Sequence, residues 1–205
     1  MNQSGKACRL ILASASPRRA ELLRQIGVSF EQRPVDLDES VAPDESPETY
    51  VKRLALEKAR AAFELAGSGD EVRVLGSDTS VVLGSRILGK PTHEADAREM
   101  LMALAGREHQ VLTAVALVGA NVEAVELVST SVWFRSIENA EIRSYWLTGE
   151  PQDKAGGYAI QGRGAMFIRR IEGSYSAVMG LPLFETAQLL ANAGFDLWST
   201  AGERQ

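Results

Sequence analysis

Two residues, Gly84 and Ser85, constrain this chain more than any others. They separate "SVVL" from "RILG". A two-residue connection with glycine first closes a β-hairpin through a type II′ turn. Counting outward from it, Leu83 pairs with Arg86, Val82 with Ile87 and Val81 with Leu88, so that Thr79 faces Lys90. The open end of the hairpin therefore gathers "SDT" (77–79) and "GKP" (89–91). In a regular ladder Asp78 and Lys90 point to opposite faces. Bringing both to one site calls for a bulge or twist near Gly89. The plainer alternative is a surface Asp and Lys at a frayed hairpin end.

The same residues come within one position of a phosphate-binding loop. "GSRILGKP" supplies Gly84, Gly89 and Lys90 of the Walker A pattern, but Pro91 stands where a hydroxyl should hold magnesium. Such a loop joins a strand to a helix. Here Ser-Arg-Ile-Leu prefers a strand, and the next helix is expected to be capped by Thr92. The hairpin reading is the better fit.

Around the hairpin, helices and strands interleave. "RLILAS" reads as a short buried strand. "SPRRAELLRQIG" is a helix with Ser16 as N-cap, Pro17 in its first turn and Gly27 as its stop. "VSFEQRPV" reads as a second strand and "DLDESVAPDE" as an acidic loop. A long helix, "SPETYVKRLALEKARAAFELAG", again opens on Ser-Pro (Ser46, Pro47) and closes at Gly67. After the hairpin come the helix "THEADAREMLMALAG" and a long two-stranded hairpin turning near 119–121. The helix "NAEIRSYWLTG", a Gly-rich loop running into a strand and a last helix, "LPLFETAQLLANAG", complete the chain. This order predicts an α/β protein with one mixed sheet, a single domain over 1–205 with flexible ends at 1–8 and 199–205.

Several function classes are disfavoured. The net charge is −5, and no stretch interleaves aromatic with basic residues, which argues against a nucleic-acid partner. The chain has one cysteine, Cys8, so it can form no intrachain disulfide; with two histidines, a Cys/His metal cluster is not expected. No window approaches the ~18 apolar residues of a membrane span, and the N-terminal apolar run is too short for a signal segment. A cytoplasmic protein with no membrane partner is expected.

Three features carry chemistry. On the long helix, Val51, Leu54, Ala55, Ala62 and Leu65 form an apolar stripe with Lys58 in its middle. Either this lysine snorkels past the edge of the core, or it meets a carboxylate or an anionic ligand. The first helix begins with free N–H groups, the Ser14 and Ser16 hydroxyls, and Arg18 and Arg19. That is a ready anion site, and arginines in a first turn oppose the helix dipole, so stability alone would not choose them. Finally, "EPQDKAGGYAIQGRG" holds Asp153, Lys154, Gln161 and four glycines. The glycines would let a ligand approach the backbone closely, and the Gln161 amide would read a base edge as donor and acceptor. An ordinary flexible loop is the alternative.

Together, "LASASPRRAELL", "DLDES", "YVKRLALEKA", "LGSDTSVVL", "LGKP", "HQVLTAVAL", "EPQDKAGGYAIQG" and "GSYSAVMGLPLFET" resemble the Maf family of nucleoside triphosphate pyrophosphatases, from about Leu10 to Trp198. The serine of "GSDT" departs from the family's usual alanine. The resemblance implies an elongated mixed sheet flanked by helices around a central cleft, like the inosine triphosphate pyrophosphatases, and a homodimer. It implies hydrolysis of a nucleoside triphosphate to monophosphate and pyrophosphate with a divalent cation, Mg²⁺ or Mn²⁺. "DKAGGYAIQG" looks like the subgroup that prefers dTTP and UTP and also cleaves some modified pyrimidine nucleotides. Asp78 matches the family's proton acceptor. Arg18, Thr79 and Gln161 match positions associated with substrate choice. Ser14, Arg19, Glu39, Lys58 and Lys90 match the shared phosphate-and-metal cleft.

On this reading, Arg18, Arg19, Lys58 and Lys90 hold the phosphates, Glu39 and Asp78 hold the metal, and Asp78 orients or deprotonates the attacking water. The two tasks of Asp78 compete. With no cysteine or serine nucleophile beside a histidine, a covalent intermediate is not expected. The competing class is a nucleotide-sensing regulator of cell division that binds triphosphates with little or no turnover.

Overall fold

The computed structural model of the chain describes residues 8–198. The ends expected to be flexible lie outside the described residues, apart from Cys8, which is exposed just before the first strand. The strands are β1 (Arg9–Leu12), β2 (Glu31–Gln32), β3 (Val72–Leu83), β4 (Arg86–Leu88), β5 (Glu108–Gly119), β6 (Val122–Phe134) and β7 (Ile168–Glu172). The helices are α1 (Pro17–Gln25), α2 (Pro47–Leu65), α3 (Glu94–Leu104), α4 (Asn139–Trp146), α5 (Tyr175–Met179) and α6 (Leu183–Asn192). Both Ser-Pro starts behave as expected: the Ser16 and Ser46 hydroxyls accept the backbone N–H of Arg19 and Thr49.

The strands form one mixed sheet in the order β2-β1-β3-β5-β6-β7, with β4 also paired to β3. The Gly84-Ser85 turn gives the expected register, Leu83 with Arg86 through Val81 with Leu88, with Gly84 in the left-handed region. β5 pairs antiparallel with β3 from Arg73–Gly119 to Val82–Gln110 and so occupies one whole edge of β3. β1 and β4 must then share the other edge. β1 covers Val72 to Leu75 and β4 covers Val81 to Leu83. The edge from Gly76 to Ser80 has no strand on it, so the sheet has a notch there.

Both faces of the central strands are buried. Val72, Val74 and Val82 of β3 and Leu112, Ala114 and Ala116 of β5 pack against Val51, Leu54, Ala55, Ala59 and Ala62 of α2. On the opposite face Leu75, Val115 and Leu117 pack against α1 and α6, through Leu22, Leu23, Leu189 and Leu190. A third cluster, near the β4 end, joins Val81 and Val111 to α3 and α4 through Leu101, Leu104, Ile142 and Tyr145. Among the described residues, no helix is long and apolar enough to cross a membrane.

Three local expectations are corrected. The second strand is only Glu31–Gln32, because it is an edge strand that runs into Pro34, which has no N–H to donate. The cap of α3 is His93, whose Nδ1 accepts the Asp96 N–H at 3.1 Å. Thr92 instead donates its backbone N–H and its hydroxyl to the Asp96 carboxylate. The short helix α5 was not anticipated: "GSYSAVMG" holds a Ser174 cap and a Gly180 stop but too few turns to show a periodicity.

Candidate functional site

The notch opens into a cleft of about 370 Å³, within the range of small-molecule sites. Arg18, Arg19, Lys58, Lys90 and Lys154 line it, together with the carboxylates of Glu39 and Asp153. The notch explains how consecutive residues of one strand serve the same cleft, Thr79 by lining it and Asp78 through its bond to the lining Lys58. Asp78 lies on the α2 face of β3 and Thr79 on the α1 face. With no neighbouring strand between them, both sides of the strand border the opening.

Lys58 does not snorkel to solvent. Its ammonium donates to Asp78 Oδ1 at 2.7 Å and sits 2.6 Å from Glu39 Oε1. The Lys58 and Asp78 side chains are 11% and 10% exposed, so their charges are largely desolvated and matched. Gly76 makes this contact possible. A Cβ there would stand 2.2 Å from the Ala55 carbonyl oxygen and 2.9 Å from the Ala59 nitrogen. Only a residue without a side chain lets α2 press onto β3 at this level and deliver Lys58 to the strand. Glu39 is held from outside the sheet: the Tyr50 hydroxyl donates to its carbonyl at 2.9 Å and Arg53 donates to the Ser40 carbonyl at 3.0 Å. Burial pushes the Glu39 carboxyl up, but the Lys58 hydrogen bond and the charges of Lys58, Lys90 and Arg19 outweigh this and leave it below its ordinary value.

Arg19 organises the other wall. Its Nε donates to the Gly180 carbonyl at 2.8 Å, one terminal nitrogen to Ser14 Oγ at 3.1 Å and the other to Thr79 Oγ1 at 3.4 Å. One planar guanidinium thus ties α1, the end of β1, β3 and the end of α5 together. Burial lowers its pKa, countered in part by the nearby Asp78 carboxylate. Thr79 Oγ1 lies 3.1 Å from Thr113 Oγ1, which is 2.7 Å from the Ala177 carbonyl. Thr113 is the donor in both contacts, the shorter to the Ala177 carbonyl and the longer to Thr79 Oγ1. Thr79 Oγ1 thus accepts from Thr113 on one side and from Arg19 on the other. Ser77, the departure from the family pattern, donates to the Gly180 carbonyl at 3.0 Å.

Lys90 reaches the cleft by a simpler route than a bulge. The ladder stops at Leu88, and the Gly89 carbonyl accepts from Gly156 at 2.9 Å, outside the sheet. Freed from the pleat, Lys90 lines the cleft near Glu39 with no hydrogen bond or salt bridge among the described residues. Arg18 stands 3.9 Å from Asp153, which also bonds Lys154. Gln161 lines the cleft beside an apolar wall that includes Val81, Val111, Tyr158 and Ile160.

All the predicted site residues therefore converge: Ser14, Arg18, Arg19, Glu39, Lys58, Thr79, Lys90 and Gln161 line the cleft, and Asp78 is bonded to Lys58 at its floor. Sequence reasoning missed Thr113, Tyr158 and Gly180, and it noted Ser77 without giving it a role. Of the three missed, only Gly180 carried a signal, as the helix stop of "AVMG".

Three of the four glycines of the 151–164 loop have a packing role. A Cβ on Gly156 would meet Val81 at 2.9 Å, one on Gly162 the Glu150 carboxylate at 2.5 Å, and one on Gly164 the Ala159 carbonyl at 2.4 Å. They let the loop pack against the protein itself.

Among the described residues, no group of three or more His, Cys, Asp or Glu could hold a metal ion. Two carboxylates, Glu39 and Asp78, do converge on one ammonium. Such a pair suits a hard cation whose remaining ligands are phosphate oxygens and water. The donor set fits a metal that arrives with a triphosphate.

Comparison with known proteins adds a family. Residues 9–193 match the family model described as Maf-like protein. A protein of Colwellia psychrerythraea named dTTP/UTP pyrophosphatase is 52% identical over 95% of this chain and 93% of its own length. One of the same name from Alkalilimnicola ehrlichii is 55% identical over 88% of this chain and 91% of its own. Among solved structures, a HAM1 protein from Coxiella burnetii aligns with a TM-score of 0.53 at 17% identity, over 90% of this chain and 99% of that one. That likeness bears on the fold alone.

Proposed function

The chain belongs to the Maf-like family, and from that premise we propose that it hydrolyses dTTP and UTP to the monophosphate and pyrophosphate. The relatives' names support the substrate class. The observation that carries the chemistry is the pairing of Lys58, Asp78 and Glu39 on one side of β3 with Arg19 and Thr79 on the other, across the notch.

A nucleoside triphosphate carries about four negative charges at neutral pH, and in-line displacement needs them neutralised and held. Lys90, which has no ion pair among the described residues, and Arg18, whose partner Asp153 is 3.9 Å away, are the cations with capacity to spare. Arg19 keeps N–H groups beyond its three protein bonds and adds a directed donor. Among the described residues Asp78 accepts from Lys58 through Oδ1 only, which leaves Oδ2 to take the proton of the attacking water. Glu39 would hold Mg²⁺ or Mn²⁺, with Asp78 contributing Oδ1 in competition with the Lys58 ammonium, and the metal would neutralise phosphate charge. Gln161, at the cleft's apolar side, pairs with the imide edge of thymine or uracil.

The test is pyrophosphate release from a nucleotide panel, including modified pyrimidine nucleotides, by the wild type and Asp78→Asn. Turnover of dTTP and UTP that needs added Mg²⁺ or Mn²⁺ and falls ~10²–10⁴-fold in the variant is expected. Tight binding without turnover would instead make this a nucleotide sensor. Near-wild-type turnover by Asp78→Asn would remove the assigned base.

A further inference from the structure

Gln161 sits on a loop, yet the chain on both sides of it is fixed by one pair of side chains outside the cleft. Tyr145, on the last turn of α4, donates its hydroxyl to Glu150 Oε1 at 2.7 Å. The same hydroxyl oxygen accepts the Ala159 N–H at 3.1 Å. Glu150 in turn accepts the Gly164 N–H on Oε1 and the Arg163 N–H on Oε2, both at 2.9 Å. The pair therefore holds backbone two residues before Gln161 and two and three residues after it. Among the described residues Gln161 itself makes no hydrogen bond, and it lines the cleft from the bracketed segment.

We propose that Tyr145 and Glu150 are positioning residues for base selection, fixing the Ala159–Gly164 segment so that the Gln161 amide meets the pyrimidine edge at a set place. This rests on the reading of Gln161 as the base reader.

Three features of the pair fit the role. Its members lie outside the phosphate-binding half of the cleft, so they do not touch the reacting groups. Glycine at 162 and 164 makes room for them: a Cβ at Gly162 would meet Glu150 Oε2 at 2.5 Å, and one at Gly164 would meet the Tyr145 hydroxyl at 2.6 Å as well as the Ala159 carbonyl at 2.4 Å. And a carboxylate accepting two backbone N–H groups and a phenol is rigid in a way a solvated loop is not. An amide that discriminates bases must be held to within about half an ångström, because a rejected base is one that leaves a hydrogen bond unmade.

A pair that only stabilised the fold would lower activity on every substrate alike. The deciding quantity is therefore the ratio of kcat/KM for dTTP to that for dCTP, measured on one preparation, since the fraction of folded enzyme cancels. Tyr145→Phe and Glu150→Gln are compared with Gln161→Ala and with Tyr145→Phe/Gln161→Ala. The proposal expects each of the first two to lower the ratio about tenfold, chiefly through KM for dTTP. It expects the double variant to discriminate no worse than Gln161→Ala alone. An unchanged ratio in both Tyr145→Phe and Glu150→Gln, with Gln161→Ala reducing it, overturns the positioning role and leaves the base reader standing. Loss of all substrates equally in Gln161→Ala overturns the base reader, and the positioning role with it.

Discussion

The Lys58 ammonium donates to Asp78 Oδ1 at 2.7 Å across the contact between helix α2 and strand β3, with both side chains about nine-tenths buried. A cation in the middle of an apolar helix stripe is thereby neutralised where it stands. Replacing it with an isosteric apolar side chain leaves the Asp78 charge buried without its partner. Lys58→Met is expected to cost about 3 kcal/mol of stability, read by urea unfolding, and to abolish most turnover. A variant as stable as the wild type would show that Asp78 is already solvated.

Gly76 sets how closely α2 approaches β3. Gly76→Ala places a methyl group 2.2 Å from the Ala55 carbonyl, so the helix must move. A loss of about 1–3 kcal/mol is expected, together with a drop in kcat as Lys58 is drawn away from Asp78. Gly89→Ala is the control, since a Cβ there meets nothing within 4 Å. Equal melting temperatures for the two variants would mean that the helix accommodates the methyl freely.

Arg19 makes its three bonds to three separate segments in directions that a planar fork can supply and an ammonium cannot. Arg19→Lys keeps the charge and loses this geometry. A fall of about a hundredfold in kcat/KM is expected, in keeping with an ångström-scale displacement of binding groups. A fall of less than threefold would reduce Arg19 to a source of charge.

His109 gives the fold a pH dependence. It is 2% exposed, its Nε2 lies 2.7 Å from the Tyr158 hydroxyl, and burial pulls its pKa down from 6.5 to about 4. The unfolded chain therefore binds this proton at a higher pH than the native one. The stability from keeping His109 neutral is complete above about pH 6.5 and is lost as pH falls toward 4, up to about 3 kcal/mol. The depressed carboxyls of Glu39 and Glu150 act lower, their contribution fading as pH drops below the ordinary glutamate range. Urea unfolding between pH 7 and 4 should therefore be flatter for His109→Gln than for the wild type. Parallel curves would locate the proton elsewhere.

Features that depend on a few neighbouring residues were legible in the sequence. The two Ser-Pro helix starts and the Gly84-Ser85 register are set by local capping and turn chemistry, and they came out as read. The misplacement of Lys58 within its stripe was also visible, though its two explanations were equally open until Asp78 was seen above it. What could not be read was non-local. The route of Lys90 depended on where β4 stops and on Gly156 capturing the Gly89 carbonyl from a distant loop. Glycines of that loop suggest a ligand in the sequence, because the groups that Gly156, Gly162 and Gly164 accommodate, Val81, Glu150 and Tyr145, carry no mark of it there. The notch exists only because β1 ends four residues into its pairing with β3, and no pattern within β3 announces that.

The gap in the sheet also sets a rule about length. Asp78 and Thr79 serve opposite walls because adjacent residues of a strand face opposite ways, and β5 pins β3 residue by residue along its other side. Inserting or deleting one residue between Leu75 and Asp78 would shift the frame. The carboxylate would then face Arg19 and the hydroxyl would face Lys58. Position 77 can therefore change its residue, as Ser77 illustrates, far more readily than the segment can change its number of residues, while Gly76 is fixed by the approach of α2.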